Sequence, residues 1–360
     1  MAPQKKPKRP FRQRFASTLQ LVCKQRQSQP LPDKPPESIA ILAKERYGDC
    51  IMLTPLIGEL RRTYPNLAIY IIAFNRIIFE FFSADPNVTA VYHAKRNINR
   101  YYRGILSKKF DLLFNPKDHP STHFLIQSKL IRARYKVSHS NPFHEGLFDY
   151  LIDTDHLSHE SRKNLSLLTL IDAARQPQHC RPYLPPMPVS DDAQSFLSTL
   201  EEGKYIGINI SAGHSGGHRT PSQWSELVSN FPLETFVIFS SPQDLAEKRA
   251  IEQRHCNIRQ SPATGNLYEV GEIVKKLRVL ITPDTSLIHV ASCSLTPLIG
   301  LYRASLADRA QFGPLSPIQE VIVSPTPDVV DITTDTIVTS LKRVLAMVPA
   351  PGETTLSSTH

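Results

Sequence analysis

A two-domain α/β fold built on parallel sheets is the architecture the sequence predicts, and three observations predict it. Short apolar runs rich in β-branched residues alternate along the chain with stretches of helical periodicity. The connections between those runs are long enough for crossover helices, which parallel pairing requires. The series is interrupted once, by the proline-rich "QPQHCRPYLPPMPVS" at 176–190, which reads as a linker. At 360 residues the chain also exceeds the usual size of one core, so two ordinary domains are expected.

Residues 1–36 form a basic segment carrying Lys5, Lys6, Lys8, Arg9, Arg12, Arg14, Lys24 and Arg26 and closing in "PLPDKPPE", which resists regular structure. Within it Phe11, Phe15, Leu19 and Val22 recur at helical spacing, so the segment reads either as an amphipathic helix for an anionic membrane surface or as a solvated tail. Residues 37–175 make the first expected domain, with strands at "SIAILA", "LAIYIIAF", "AVYH", "FDLLFN" and "ARYKVS". Residues 191–330 make the second, with "YIGINIS", "TFVIFSS", "RVLITP", "PLIGLY" and "EVIVS". These runs suit strands buried on both faces. Residues 331–348 are expected to be a closing helix, able to pack on either domain, and 349–360 a disordered tail.

Composition removes several classes of protein. Hydrophobic residues at 41% and charged residues at 21% suit a globular chain rather than a fibrous or disordered one. The apolar stretch "AIYIIAFNRIIFEFF" is broken by Asn75, Arg76 and Glu80 and is too short to span a bilayer. No secretory signal follows the basic start, so the mature chain is expected to begin where the sequence does. Cys23, Cys50, Cys180, Cys256 and Cys293 are scattered and form no CxxC pair, the pattern of a reducing cytoplasm without structural zinc. The net charge of +9 calls for an anionic partner.

Three strand-to-helix turns carry polar chemistry. In "AKERYGDCIMLTPLIGELRRTYP" Thr54 and Pro55 read as an N-cap and first helical residue, which leaves Gly48 and Asp49 on the turn after the first strand. Ligands bind at the carboxyl ends of parallel strands, so Asp49 is a candidate site residue or a helix cap. "NISAGHSGGHRTPSQWSELV" places Gly213, Gly216, Gly217 and Arg219 before a helix, a phosphate cradle or a plain flexible loop. It matches neither common nucleotide signature. In "ITPDTSLIHVAS" Asp284 can accept from sugar hydroxyls, Thr285 and Ser286 can donate to phosphate oxygens at a helix N-terminus, and His289 lies one turn inside.

These segments, in order and at these separations, resemble glycosyltransferase family 9, the lipopolysaccharide heptosyltransferases, over roughly residues 38–325. The resemblance implies a GT-B architecture, two Rossmann-like domains facing across a cleft, and metal-independent transfer of heptose from ADP-heptose to a lipopolysaccharide or lipooligosaccharide core. It implies Asp49 as general base, Arg219 near the diphosphate, and Asp284, Thr285 and His289 in the donor motif. Ser286 stands where that motif has glycine, which opens the choice to another nucleotide sugar, and Asp244 is matched to the ribose hydroxyls. The chemistry suits these residues: a carboxylate takes the acceptor proton, and cation and helix dipole meet the charge on the leaving diphosphate. In "KRNINRYYRGILSKK" Lys95, Arg96, Arg100 and Arg103 form a basic patch, read as an acceptor contact or a solvated helix face.

The expected partners are therefore a nucleotide sugar, a lipid-linked oligosaccharide and an anionic membrane surface, with no nucleic acid, no metal and no cofactor, at a cytoplasmic, peripheral location on the inner membrane. The "DTD" triplet Asp153 to Asp155 has a metal-binding spacing but reads as a loop or strand end. The pairs His119/His123, His156/His159 and His214/His218 lack an HExxH context. Two other classes stay open: a noncatalytic nucleotide- or glycan-binding member, and a nucleic-acid-binding protein with a basic arm.

Overall fold

Strands β1 (Ser38–Leu42), β2 (Ala68–Ala73), β3 (Ala90–His93), β4 (Lys109–Asn115), β5 (Arg132–His139) and β6 (Tyr150–Ile152) build the sheet of the N-terminal half. All pair in parallel, in the order β3-β2-β1-β4-β5-β6. This computed structural model describes residues 8–23, 34–174, 181–212 and 218–348, and the chain divides into units 1–180 and 181–360. β6 was not expected, because three residues carry too little pattern to read.

The helices of this unit are α1 (Lys8–Val22), α2 (Tyr47–Ile51), α3 (Thr54–Thr63), α4 (Arg76–Ser83), α5 (Ile98–Tyr101), α6 (Thr122–Leu130) and α7 (Glu160–Ile171), with a π turn at Tyr102–Leu106 after α5. Leu56, Ile57 and Leu60 of α3 are fully buried, as their shared helical face requires. Asn75 caps α4 by accepting from the Ile78 amide at 2.9 Å. On one face of the sheet Ala40, Leu42, Ile72, Phe110 and Leu113 pack with Phe124 of α6 into a core.

Residues 8–23 differ from the expected tail. Ala16 is fully buried against Leu125, Leu147 and Phe148, with Phe15, Leu19 and Cys23 packed around it. Gln20 donates to the carbonyls of Pro142 at 2.8 Å and Glu145 at 3.1 Å. Part of the basic segment is thus a docked helix, because Phe15 and Leu19 find an apolar site on α6 to fill. Phe11 and Val22, members of the same expected stripe, stay exposed.

The C-terminal unit holds β7 (Tyr205–Asn209), β8 (Thr235–Phe239), β9 (Leu277–Pro283), β10 (Leu298–Tyr302) and β11 (Gln319–Val323), parallel in the order β11-β10-β9-β7-β8. Its helices are α8 (Asp191–Ser198), α9 (Pro221–Ser229), α10 (Leu245–Glu252), α11 (Leu267–Val274), α12 (Ser286–Ser294), α13 (Leu306–Phe312) and α14 (Thr334–Met347). Ile337, Leu341 and Val344 of α14 are fully buried in the core that also holds Trp224, Ile238, Val279 and Ile281. The closing helix therefore packs on its own unit. In each sheet the strand order reverses once, between β1 and β4 and between β7 and β9. Such switch points are where open parallel sheets leave room for ligands.

Candidate active site

At the N-terminal switch point the chain leaves β1 through Lys44, Glu45 and Arg46 into the short α2, which carries Asp49 half-buried in its first turn. Asp49 caps neither neighbouring helix. Arg46 precedes α2 without a side-chain cap, and α3 begins after Leu53, one residue earlier than expected, with no side-chain cap either. The Thr54 hydroxyl instead donates back to the Ile51 carbonyl at 2.8 Å. With α2 and α3 formed this way, the helix-cap reading of Asp49 lapses.

A buried ionic layer lies beneath Asp49. The Lys44 ammonium, 7% exposed, donates to the Glu160 carboxylate at the start of α7, 2% exposed. Burial works against the charged ammonium, but Glu160 and then Asp49 outweigh it and raise the Lys44 pKa. Asp118, in the loop after β4, accepts from Lys163 at 3.0 Å and pairs with His119 at 2.9 Å. Burial alone would lift its carboxyl; the His119 hydrogen bond, Lys44 and Lys163 hold it well below the usual range. His139, at the end of β5, is buried, and burial with the nearby Lys44 ammonium lowers its ring to about 3, so it stays neutral. Asn164 of α7 donates to the Met52 carbonyl at 2.9 Å and ties this layer to the α2–α3 turn.

The C-terminal switch point is lined by hydroxyls and one amide. Asn209, ending β7, donates to Thr282 at 2.9 Å and Thr285 at 3.2 Å. Thr285 caps α12, accepting from the Leu287 amide at 3.3 Å. Ser286 is the first residue of that helix, half-buried, and Asp284, also half-buried, is fixed by its amide donating to the Leu301 carbonyl at 3.0 Å. His289 is buried one turn in, its ring edge-on to Phe312 with centroids 6.2 Å apart. Asp244 lies at the end of the β8 turn, where Ser241 donates to it at 2.8 Å and Ser211 also donates. Burial opposes its charge, yet those two hydroxyls and His218 hold its carboxyl below the ordinary range.

Arg219 is not brought to this cluster. Its guanidinium is 2% exposed, donates to the Ile332 carbonyl and to Thr334 at 3.1 Å, and lies 5.2 Å from the centre of the Trp224 ring. The expected diphosphate contact is corrected to an anchor for the start of α14, since a side chain buried to this extent has almost no surface for a ligand. Gly213, Gly216 and Gly217 lie outside the described residues. Lys95, Arg96, Arg100 and Arg103 are all exposed, and Arg100 lies 5.5 Å from the centre of the Tyr92 ring. Arg96 and Arg100 line one shallow groove beside Tyr92, Arg100 and Arg103 a second. Gly104 in the π turn permits the second, since a Cβ there would meet Tyr92 at 2.0 Å. Asp153 and Asp155 are exposed just past β6. Among the described residues no group of three His, Cys, Asp or Glu side chains is placed to hold a metal ion.

Sequence reasoning missed the Lys44–Glu160 pair, whose partners are 116 positions apart. The one available signal was a lysine immediately past a buried apolar strand.

The sequence profile of Glycosyltransferase family 9 (heptosyltransferase) matches residues 169–338. Lipopolysaccharide heptosyltransferase 3 of Escherichia coli is 21% identical over 280 residues, 72% of this chain and 81% of that protein. Among solved structures, Escherichia coli heptosyltransferase WaaC with ADP superposes with a TM-score of 0.68 at 14% identity, over 85% of this chain and 99% of that one. A family 9 glycosyl transferase from Veillonella parvula gives 0.69 at 16%, over 86% and 97%. Escherichia coli ADP-heptose lps heptosyltransferase II gives 0.65 at 18%, over 86% and 99%. Two parallel-sheet domains with polar switch points and these likenesses define the fold, the GT-B fold of the solved heptosyltransferases. In sequence, residues 169–338 resemble the heptosyltransferase family of that profile, and 280 residues are similar to a lipopolysaccharide heptosyltransferase.

Proposed function

We propose that this chain transfers heptose from ADP-heptose to a hydroxyl of a lipopolysaccharide or lipooligosaccharide core, without a metal ion, with Asp49 as general base. The observation that carries the reading is the Asp49 carboxylate, half-buried in the first turn of α2 after β1, capping no helix and near enough to help raise the Lys44 pKa. A carboxylate in that position is of the type that can take a proton from an acceptor hydroxyl. As the acceptor oxygen bonds to the anomeric carbon, its proton passes to Asp49 and the bond to the diphosphate breaks. The N-terminus of α12 stabilises the negative charge left on that diphosphate. Asp284 and His289 belong to the same turn and hold the sugar end of the donor, and Asp244 meets the ribose. Lys95, Arg96, Arg100 and Arg103 bind acidic groups of the acceptor.

Support for the nucleotide comes from the relatives, one of which is an ADP complex. Ser286 supports a second reading, another nucleotide sugar, because its side chain stands at the helix N-terminus where the donor would lie. Work is expected at the cytoplasmic face of the inner membrane, with the protein held peripherally. Among the described residues no helix is long and apolar enough to cross a membrane.

Asp49→Asn tests the base. Turnover should fall by ~10²–10⁴ with donor affinity and melting temperature retained; near-normal transfer by the folded variant would sink the assignment. A thermal-shift panel of nucleotide sugars tests the donor, since a ligand at ~100 times its Kd adds about 2.7 kcal/mol. ADP-heptose should give the largest shift, and a larger one from another sugar would select the second reading.

A further inference from the structure

We propose that the outer face of α1 is a docking surface for an anionic lipid bilayer, built into the folded N-terminal unit. The inference rests on the membrane-borne acceptor of the proposed function and says which surface meets the membrane. α1 is fixed by its inner face, through Ala16, Phe15, Leu19 and the two hydrogen bonds of Gln20. Its outer face is therefore held in one orientation. That face carries Phe11 at 64%, Leu21 at 86% and Val22 at 72% exposure, with Arg14 exposed among them. Residues 11, 14, 18, 21 and 22 share one helical stripe by the 3.6-residue period.

Large apolar side chains grouped on one surface call for a cover. Charge identifies it. The fifteen residues of α1 contain no carboxylate, and the sequence up to residue 32 has none either, while it supplies eight lysines and arginines. α6, on which α1 packs, also lacks a carboxylate and exposes Ile126 at 39% and Leu130 at 52% beside Lys129. An apolar stripe among unopposed cations suits an anionic headgroup layer, where apolar side chains enter the acyl boundary and arginines remain with the phosphates. A second copy of this chain would bring the same positive charge to the contact, which works against self-association.

The test uses the full chain and sedimentation with vesicles of phosphatidylcholine alone or mixed with phosphatidylglycerol. Wild type should bind the mixed vesicles and hardly bind the neutral ones. Phe11→Ser with Leu21→Ser and Val22→Ser should lower binding to mixed vesicles by at least ~10-fold. Its melting temperature and its transfer to a water-soluble acceptor should be unchanged, because the buried residues of α1 are untouched. A companion variant, Arg12→Gln with Arg14→Gln, should bind less and depend less steeply on salt. Undiminished binding by the triple variant overturns the proposal. So do equal binding to both vesicles, and a concentration-dependent dimer that the triple variant abolishes. Vesicle binding that follows this pattern in a protein without transfer activity would leave the docking surface standing and fault the proposed reaction instead.

Discussion

Arg219 shows how a residue's role follows from what the fold places around it. From the sequence it is a cation beside a glycine-rich loop; in the structure it is buried, lies over Trp224 and donates to Ile332 and Thr334. Removing a buried, hydrogen-bonded guanidinium leaves its acceptors unpaired, which costs roughly 2–4 kcal/mol. Arg219→Met should therefore lower stability in urea unfolding and leave donor affinity intact. A large loss of donor affinity at unchanged stability would return Arg219 to the diphosphate. Asp118 offers a test in pH. Its folded pKa is depressed, so its contribution is present above the unfolded value of about 3.9 and fades as pH falls below it. Asp118→Asn should be less stable than wild type at pH 7, and the two unfolding curves should converge as acid is added. A difference that persists undiminished into strong acid would show that the carboxylate charge is not what matters there.

At the scale of elements, α1 gives the clearest departure from the sequence reading. Deleting residues 1–35 would strip the cover from Leu125, Leu147 and Phe148, and exposing buried side chains of this size costs about 1.5–3 kcal/mol each at full exposure. The truncated chain should melt several degrees lower than the full chain; an unchanged melting temperature would mean that the helix contributes nothing to the unit. The basic, proline-bounded composition concealed this helix's dock, because its partner surface on α6 and residues 143–151 is far away in sequence. The strands were readable for the opposite reason. The run "YIGIN" is buried along its whole length and "AIYIIA" at four of its six positions, so local composition carries the signal, whereas the three residues of β6 do not. Asp49 and the turn from Asp284 to His289 could be singled out as candidates because each lies within one strand-to-helix turn. The Lys44–Glu160 pair and the Asn209–Thr282 contact join separate strands and helices, and no local pattern announces them.

On the scale of the whole molecule, each half closes its own parallel sheet on its own core, and Asp244, Asp284, Thr285, Ser286 and His289 all belong to the C-terminal unit. A domain of that size with a continuous core is able to fold alone. Residues 181–348 expressed alone should unfold cooperatively and be stabilised by ADP and by ADP-heptose as the full chain is expected to be, while lacking all transfer because the proposed base, Asp49, is missing. Magnesium, manganese and EDTA should leave both the donor shift and the full chain's turnover unaffected, since the proposed chemistry places a helix N-terminus at the diphosphate. Turnover lost in EDTA and restored by manganese would instead bring Asp153 and Asp155 into the reaction. The isolated half separates two accounts of the donor site. If it folds, by circular dichroism and a sharp melt, yet gives no nucleotide shift where the full chain gives one, then residues before 181 complete that site. If it shifts with nucleotide alone but not further with the sugar attached, the turn at Asp284 holds the nucleotide, and recognition of the sugar requires the N-terminal unit.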